Sequence, residues 1–206
     1  MKQSTSASPP ASGFTRRKFL QGSGAAAAAT VLATTGGEAL ADHHGDEVIA
    51  GETTITLHVN GQNRQAVVEP RTTLLEVLRY QFELTGAKPV SADGSSGAST
   101  VLIDGKPMMA STLLALSVRD KKIETVESVS QRNSGAVPAA FVEYDAQQCG
   151  FCTPGFVVAV RAFLDKNPNA SEAEIRAGLN GNVCRCGTYA NVLQAVIALV
   201  KGGPRG

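Results

Sequence analysis

The chain has 206 residues, 43% of them hydrophobic, and a formal net charge of +1. That length suits one ordinary domain or two small ones. The near-neutral charge argues against a nucleic-acid binder, which shows a basic face or stripe, and with no tryptophan and only 5% aromatics large aromatic recognition surfaces are not expected.

In chain order, the first feature is Thr15-Arg-Arg-Lys-Phe-Leu20, a twin-arginine pattern, followed by an Ala-rich apolar run from Gly22 to about Ala33. Ala39-Leu-Ala41 then offers small residues at the two positions a signal peptidase reads. The run falls short of the roughly 20 strongly apolar residues of a membrane span. Residues 1–41 are therefore expected to be a cleaved twin-arginine signal, with the mature chain in the bacterial periplasm and no transmembrane segment after cleavage. Residues 42–51 would be an N-terminal tail. Its opening Asp42-His43-His44 has the donors of a square-planar Cu(II) or Ni(II) site, although a solvated tail is the plainer reading.

Alternation of apolar and polar residues over 53–59 predicts a half-buried strand. Asn60-Gly61 is a hairpin signal with a return strand at 65–68. Thr73-Leu-Leu-Glu76 fits a capping box opening a helix to about residue 82. A Gly- and Ser-rich loop follows, then a strand at 100–103, an Asp104-Gly105 turn, an apolar stretch at 113–118 and a strand at 123–126. His58 is expected at the surface or at an edge, and Met108-Met109 in hairpin packing. The region 52–128 thus reads as a small β-rich domain, residues 129–137 as a linker with Ser, Asn and Gly running up to Pro138, and 138–201 as a helical domain. Helices are expected at 141–148, 155–165, 172–179 and 191–200, the third opened by the capping box Ser171-Glu-Ala-Glu174.

All four cysteines lie in the helical half, as Cys149-Gly-Phe-Cys152 and Cys184-Arg-Cys186. Two disulfides are one reading in an exported protein, but Cys184 and Cys186 are too close in sequence to pair readily. Two short loops that bring four soft thiolates together suit a metal better, either zinc or a [2Fe–2S] cluster. Gly150, Gly155, Gly181 and Gly187 allow close backbone approach, and Arg185 would offset negative charge.

The segments Gln148 to Phe156 (QCGFCTPGF) and Leu179 to Tyr189 (LNGNVCRCGTY) resemble the helical [2Fe–2S] domain of the molybdenum hydroxylases. That family includes xanthine dehydrogenase, aldehyde oxidoreductase and isoquinoline 1-oxidoreductase. The resemblance continues through residues 59–61, 74–79, 84–88 and 100–105, and so covers essentially all of 52–200. It implies an α+β chain, an N-terminal β-grasp, plant-ferredoxin-like domain followed by a four-helix [2Fe–2S]-binding domain. It implies that Cys149, Cys152, Cys184 and Cys186 ligate a cluster, with Gln148, Gly150 and Arg185 near the cluster or the pterin. The molybdopterin would sit in a separate large subunit, and a cytochrome c or flavin subunit would accept the electrons.

One part of the family pattern is broken. Its β domain carries Gly-Cys-x-x-Gly-x-Cys-Gly-x-Cys-Thr-Val and a fourth cysteine after the next hairpin. Here the glycine is Val90, and the ligand positions are Ser91, Ser96, Ser99 and Ser111; Gly94, Gly97 and Thr100-Val101 still match. Serine binds metal only as a hard alkoxide, where iron–sulfur chemistry uses soft thiolate, so no cluster is expected there. The expected function is an electron-transfer subunit of a periplasmic molybdenum hydroxylase oxidising an aldehyde or N-heterocycle, with one [2Fe–2S] cluster. The competing expectation is a scaffold or assembly subunit whose cluster is structural.

Overall fold

Over Thr53–Val59 the apolar residues Ile55, Leu57 and Val59 fall on one face of a strand and are buried. In the computed structural model, which describes residues 50–202, this strand (β1) pairs antiparallel with β2 (Gln62–Val68). Asn60 and Gly61 turn the chain with φ of 52° and 81°, the left-handed pair that a two-residue hairpin requires. So tight a turn draws Gln62 to Arg64 into the ladder despite their polarity, and the return strand starts earlier than residue 65. Residues 1–41, with the twin-arginine pattern, and His43 and His44 lie outside the described residues.

β3 (Thr100–Ile103) and β4 (Lys106–Met109) form a second hairpin over Asp104-Gly105, with φ of 49° and 75°. β5 (Lys122–Glu124) lies between the hairpins, parallel to β1 and antiparallel to β3, so the sheet order is β2-β1-β5-β3-β4. His58 therefore sits in an interior strand rather than at an edge, half-buried, with Nδ1 3.0 Å from Asn63 Oδ1 across the ladder.

Between the hairpins, Thr73 caps a short helix, α1 (Leu74–Glu76). The Thr73 amide donates to Glu76 Oε2 at 2.7 Å, and the Glu76 amide donates to Thr73 Oγ1 at 3.3 Å. The chain then widens into a π turn over Val77–Gln81, with the Phe82 amide reaching Val77 O at 3.0 Å. Leu74, Leu75, Val77, Leu78 and Phe82 join β1, β2 and β3 in one apolar core. The apolar stretch at 113–118 is a 3₁₀ turn over Ala115–Val118, with Leu114 bridged to Thr73.

β5 ends at Glu124 because the chain turns at Thr125 into α2 (Val126–Val129). The expected linker carries structure: a 3₁₀ turn at Arg132–Gly135, then α3 (Ala136–Glu143). Pro138 is tolerated in α3 because the first-turn amides have no intrahelical acceptor. α3 stops five residues short of Gln148, at a Schellman turn. Asp145 is left-handed (φ 50°), its amide donates to Val142 O at 3.2 Å, and the Ala146 amide donates to Phe141 O at 2.8 Å. α4 (Thr153–Lys166), α5 (Glu172–Gly178) and α6 (Tyr189–Val200) follow.

The described residues, 50–202, form one compact unit. The helices α3 to α6 enclose a second core around Phe141, Phe156, Ile175 and Val196. A third cluster, Leu102, Val129, Val158 and Ala162, packs β3 against α2 and α4. Among the described residues, no helix is long and apolar enough to cross a membrane.

Candidate metal centre

Cys149 and Cys152 immediately precede α4, Cys152 being its N-cap, and Cys184 and Cys186 lie on the loop that enters α6. Pro154 at the second position of α4 fixes the first turn and needs no donor partner there. Gly150 and Gly187, with φ of 76° and 80°, reverse the chain beside the cysteines. All four cysteines are free thiols, and they meet as two pairs. Cys152 packs against the apolar cluster that contains Cys184, and each thiol perturbs the ionisation of one partner most directly, Cys149 that of Cys186 and Cys152 that of Cys184.

The environments of the thiols differ. Burial, reinforced by the Cys184 sulfur, pushes the Cys152 thiol up to about 12. Burial also acts against ionisation of Cys184, but the Thr188 hydroxyl, 3.2 Å from its sulfur, and nearby amides outweigh it and bring that thiol down to about 7. The Phe151 amide, and then Cys186, lower the Cys149 thiol. A Cys149 backbone hydrogen bond favours the Cys186 thiolate, but the Cys149 sulfur and neighbouring charge carry that thiol upward. Hydrogen-bond donors are thus already aimed at the sulfurs, as a bound anionic metal–thiolate centre requires.

Among the described residues, no three His, Cys, Asp or Glu side chains gather in the manner of a single-ion site. Two thiol pairs instead match a dinuclear centre in which each iron takes two thiolates. By donor type and by pairing, these residues fit a [2Fe–2S] cluster.

Three neighbours of the thiols were not singled out from sequence. Tyr189 Oη accepts the Cys184 amide at 2.7 Å, Thr188 touches the Cys184 sulfur, and Asn182 is buried just before that cysteine. All three lie inside the LNGNVCRCGTY segment, so a signal was present, but ligand chemistry gave no reason to choose them. Gln148 and Arg185 are exposed and Gly150 is half-buried. Gly155 faces the Gly97 carbonyl rather than the sulfurs.

The serine positions converge as well. Ser91 Oγ and Ser96 Oγ are 2.8 Å apart, and Ser99 Oγ and Ser111 Oγ are 3.0 Å apart. The Ser96 amide donates to Ser91 Oγ at 3.0 Å and the Ser111 amide to Ser99 Oγ at 3.4 Å. Two thiolates on one tetrahedral metal stand roughly 3.7 Å apart, given metal–sulfur bonds of about 2.3 Å. The hydroxyl pairs have closed to hydrogen-bond distance and carry hard donors. They do not fit an iron–sulfur cluster.

Residues 125–197 match the [2Fe-2S] binding domain family. The chain is 39% identical over 144 residues to the nicotinate dehydrogenase small FeS subunit of Eubacterium barkeri, covering 69% of this chain and 92% of that one. It is 35% identical over 202 residues to the aldehyde oxidoreductase iron-sulfur-binding subunit PaoA of Escherichia coli, covering 89% and 86% respectively. Among solved structures, quinoline 2-oxidoreductase from Pseudomonas putida matches 75% of this chain and 98% of its own, with a TM-score of 0.69 and 38% identity. The aldehyde oxidoreductase of Desulfovibrio desulfuricans matches 72% of this chain but 17% of its own, with a TM-score of 0.67 and 36% identity. The chain therefore belongs to the family of small iron–sulfur subunits of molybdenum hydroxylases, the non-catalytic electron-transfer subunits of molybdenum-dependent oxidoreductase complexes.

Proposed function

We propose that this chain serves a periplasmic molybdenum hydroxylase, carrying electrons singly from a large molybdopterin-binding subunit through one [2Fe–2S] site to an external acceptor. The observation that carries the reading is that four free cysteines from two segments come together where the start of α4 meets the loop entering α6, with Cys152 packed against the cluster that holds Cys184. Cys149 and Cys186 would hold one iron, and Cys152 and Cys184 the other. When bound, the cluster supplies a one-electron relay. The protein's part is to hold the sulfurs in place and to stabilise their charge through the Phe151 amide and the Thr188 hydroxyl.

The face toward the large subunit is the one around the thiols. Phe151, Val183 and Tyr189 are each about half exposed there, an apolar rim beside exposed Gln148 and Arg185 and half-buried Gly150. In finer terms, the sheet with α1 is a β-grasp, plant-ferredoxin-like domain without a cluster, and α3 to α6 are the four-helix [2Fe–2S]-binding domain. Electrons would then leave the helical site directly for a cytochrome c or flavin subunit docked nearby.

Two further elements of the reading rest on the chain's relatives and its N-terminus. Relatives are named for nicotinate, an aldehyde and quinoline, which supports an aldehyde or N-heterocycle as the substrate of the large subunit. Export is supported by the twin-arginine pattern, and the alignment with the Escherichia coli subunit extends into residues before 50.

Metal and acid-labile sulfide analysis of the purified complex tests the reading. About two irons per chain, with an EPR signal that appears on reduction and is reoxidised by acceptor, are expected from this subunit. Zinc in place of iron would refute it, and a cluster that never changes redox state would favour the structural scaffold instead.

A further inference from the structure

The serine-bearing loop does not fit a metal, yet it is ordered by its own hydroxyl pairs and touches both cysteine-bearing segments. The Val183 amide donates to Ser96 O at 2.9 Å. Asn182 Nδ2, buried, donates to Gly97 O at 2.9 Å and lies 3.4 Å from Thr100 Oγ1, which itself donates to Gly97 O at 2.6 Å. On the other side, a Cβ on Gly155, three residues after Cys152, would stand 2.4 Å from Gly97 O. A Cβ on Gly97 would stand 2.3 Å from Gly181 O. Two glycines and one buried amide have therefore brought residues 96–98 into backbone contact with both halves of the ligand set. A third contact is the Lys88 ammonium, 5.8 Å from the centre of the Phe151 ring between Cys149 and Cys152. The Lys88 amide is tied to Ala98 O at 3.0 Å.

We infer that the serine loop is a strut that fixes the Cys184–Cys186 loop against the start of α4, with Asn182 as the positioning residue at the joint. The serine hydroxyls hold the strut's shape. Ser91 Oγ accepts the Ser96 amide, Ser96 Oγ accepts the Ala98 amide at 3.3 Å, and the carbonyls of Ser96 and Gly97 then present themselves to Val183 and Asn182. The spacing between Cys152 and Cys184, and the aim of the amides at their sulfurs, depend on a loop that binds no metal itself. Hydrogen bonds and strain at the ligands set a cluster's reduction potential, so the strut acts on the electronic properties of the cysteine site from outside it. The inference rests on the proposed cluster at the four cysteines.

Two variants of the full chain in its complex test it, Asn182→Ala and the double variant Ser91→Ala with Ser96→Ala. The second removes only hydroxyls that bond within the serine loop itself, leaves the Ser96 carbonyl in place, and guards against a simple folding failure of the first. Iron content, the EPR g-values of the reduced cluster, its midpoint potential and the rate of iron loss to a chelator are read for each. Iron content like the parent's, with shifted g-values, a shifted potential and several-fold faster iron loss in both variants, is the expected result. Parent-like g-values, potential and chelation rate in both variants would overturn the strut while leaving the cluster intact. A parent protein without iron would instead end both readings.

Discussion

Tyr189 accepts the Cys184 amide at 2.7 Å, and its ring packs edge-on against Phe156 with centroids 6.4 Å apart. One side chain thus ties the second cysteine loop to the helical core. Tyr189→Phe keeps the ring and removes the acceptor. The expected cost is about 1 kcal/mol of stability, read as a lower denaturation midpoint, with faster iron loss to chelator and unchanged iron content in fresh protein. The cysteines were legible in the sequence because two short, closely spaced pairs suit metal–thiolate chemistry better than disulfides. Asn182 was not, since its acceptor on Gly97 is 85 residues away in sequence and nothing local marks the pair. The role of Tyr189 is similarly a matter of where a hydroxyl points, which spacing does not encode.

At the scale of elements, the sheet and helices are joined by charge as well as by apolar packing. Glu124 at the end of β5 is buried and pairs with Arg132 of the 3₁₀ turn, which also reaches Asp165 of α4 at 3.5 Å. Asp165 in turn accepts from buried Arg161 at 2.6 Å. Burial opposes ionisation of Glu124, but the guanidinium beside it and nearby Lys122 outweigh burial and hold its carboxyl below the usual 4.5. A carboxyl depressed in the folded state contributes stability that is fully present above its unfolded value and lost as pH falls through the folded value. Thermal midpoints should therefore drop as pH falls below about 4.5. In Glu124→Gln the midpoint should be lower at neutral pH, because Arg132 loses its partner, and the acid slope should be shallower. Parallel wild-type and variant curves across that range would contradict this coupling. The segment holding Arg132 reads as a linker because Ser, Asn and Gly favour turns. Its order comes from contacts with Glu124 and Asp165, which are tertiary. The hairpins were legible because Asn60-Gly61 and Asp104-Gly105 specify their turns locally. The length of β2 and the end of α3 were set by pairing and by Asp145.

Across the whole molecule, the retention of the sheet portion's loop geometry is a separate fact from its loss of ligands. Gly94 and Gly97 keep left-handed φ of 76° and 67°, Thr100 begins β3 directly after the loop, and Ser111 follows β4 at the far side of the hairpin. The four hydroxyls meet as Ser91 with Ser96 and Ser99 with Ser111, and each pair is what one iron of a cluster would take, at oxygen rather than sulfur spacing. What prevents a cluster is therefore the donor atom and the closed pairs, while the path of the backbone has been kept by its work against the Cys184–Cys186 loop. Replacing all four serines by cysteine should open each pair and supply soft donors without a new backbone course. Iron would then rise from about two to about four per chain, and reductive titration would take up one further electron per chain. The parent chain, with the single site proposed above, is expected to accept one. If the four-cysteine variant folds and still binds only about two irons, the backbone around Val90 and Ser111 has itself departed from a cluster-binding path. The strut would then be the only role for which the loop's geometry is kept.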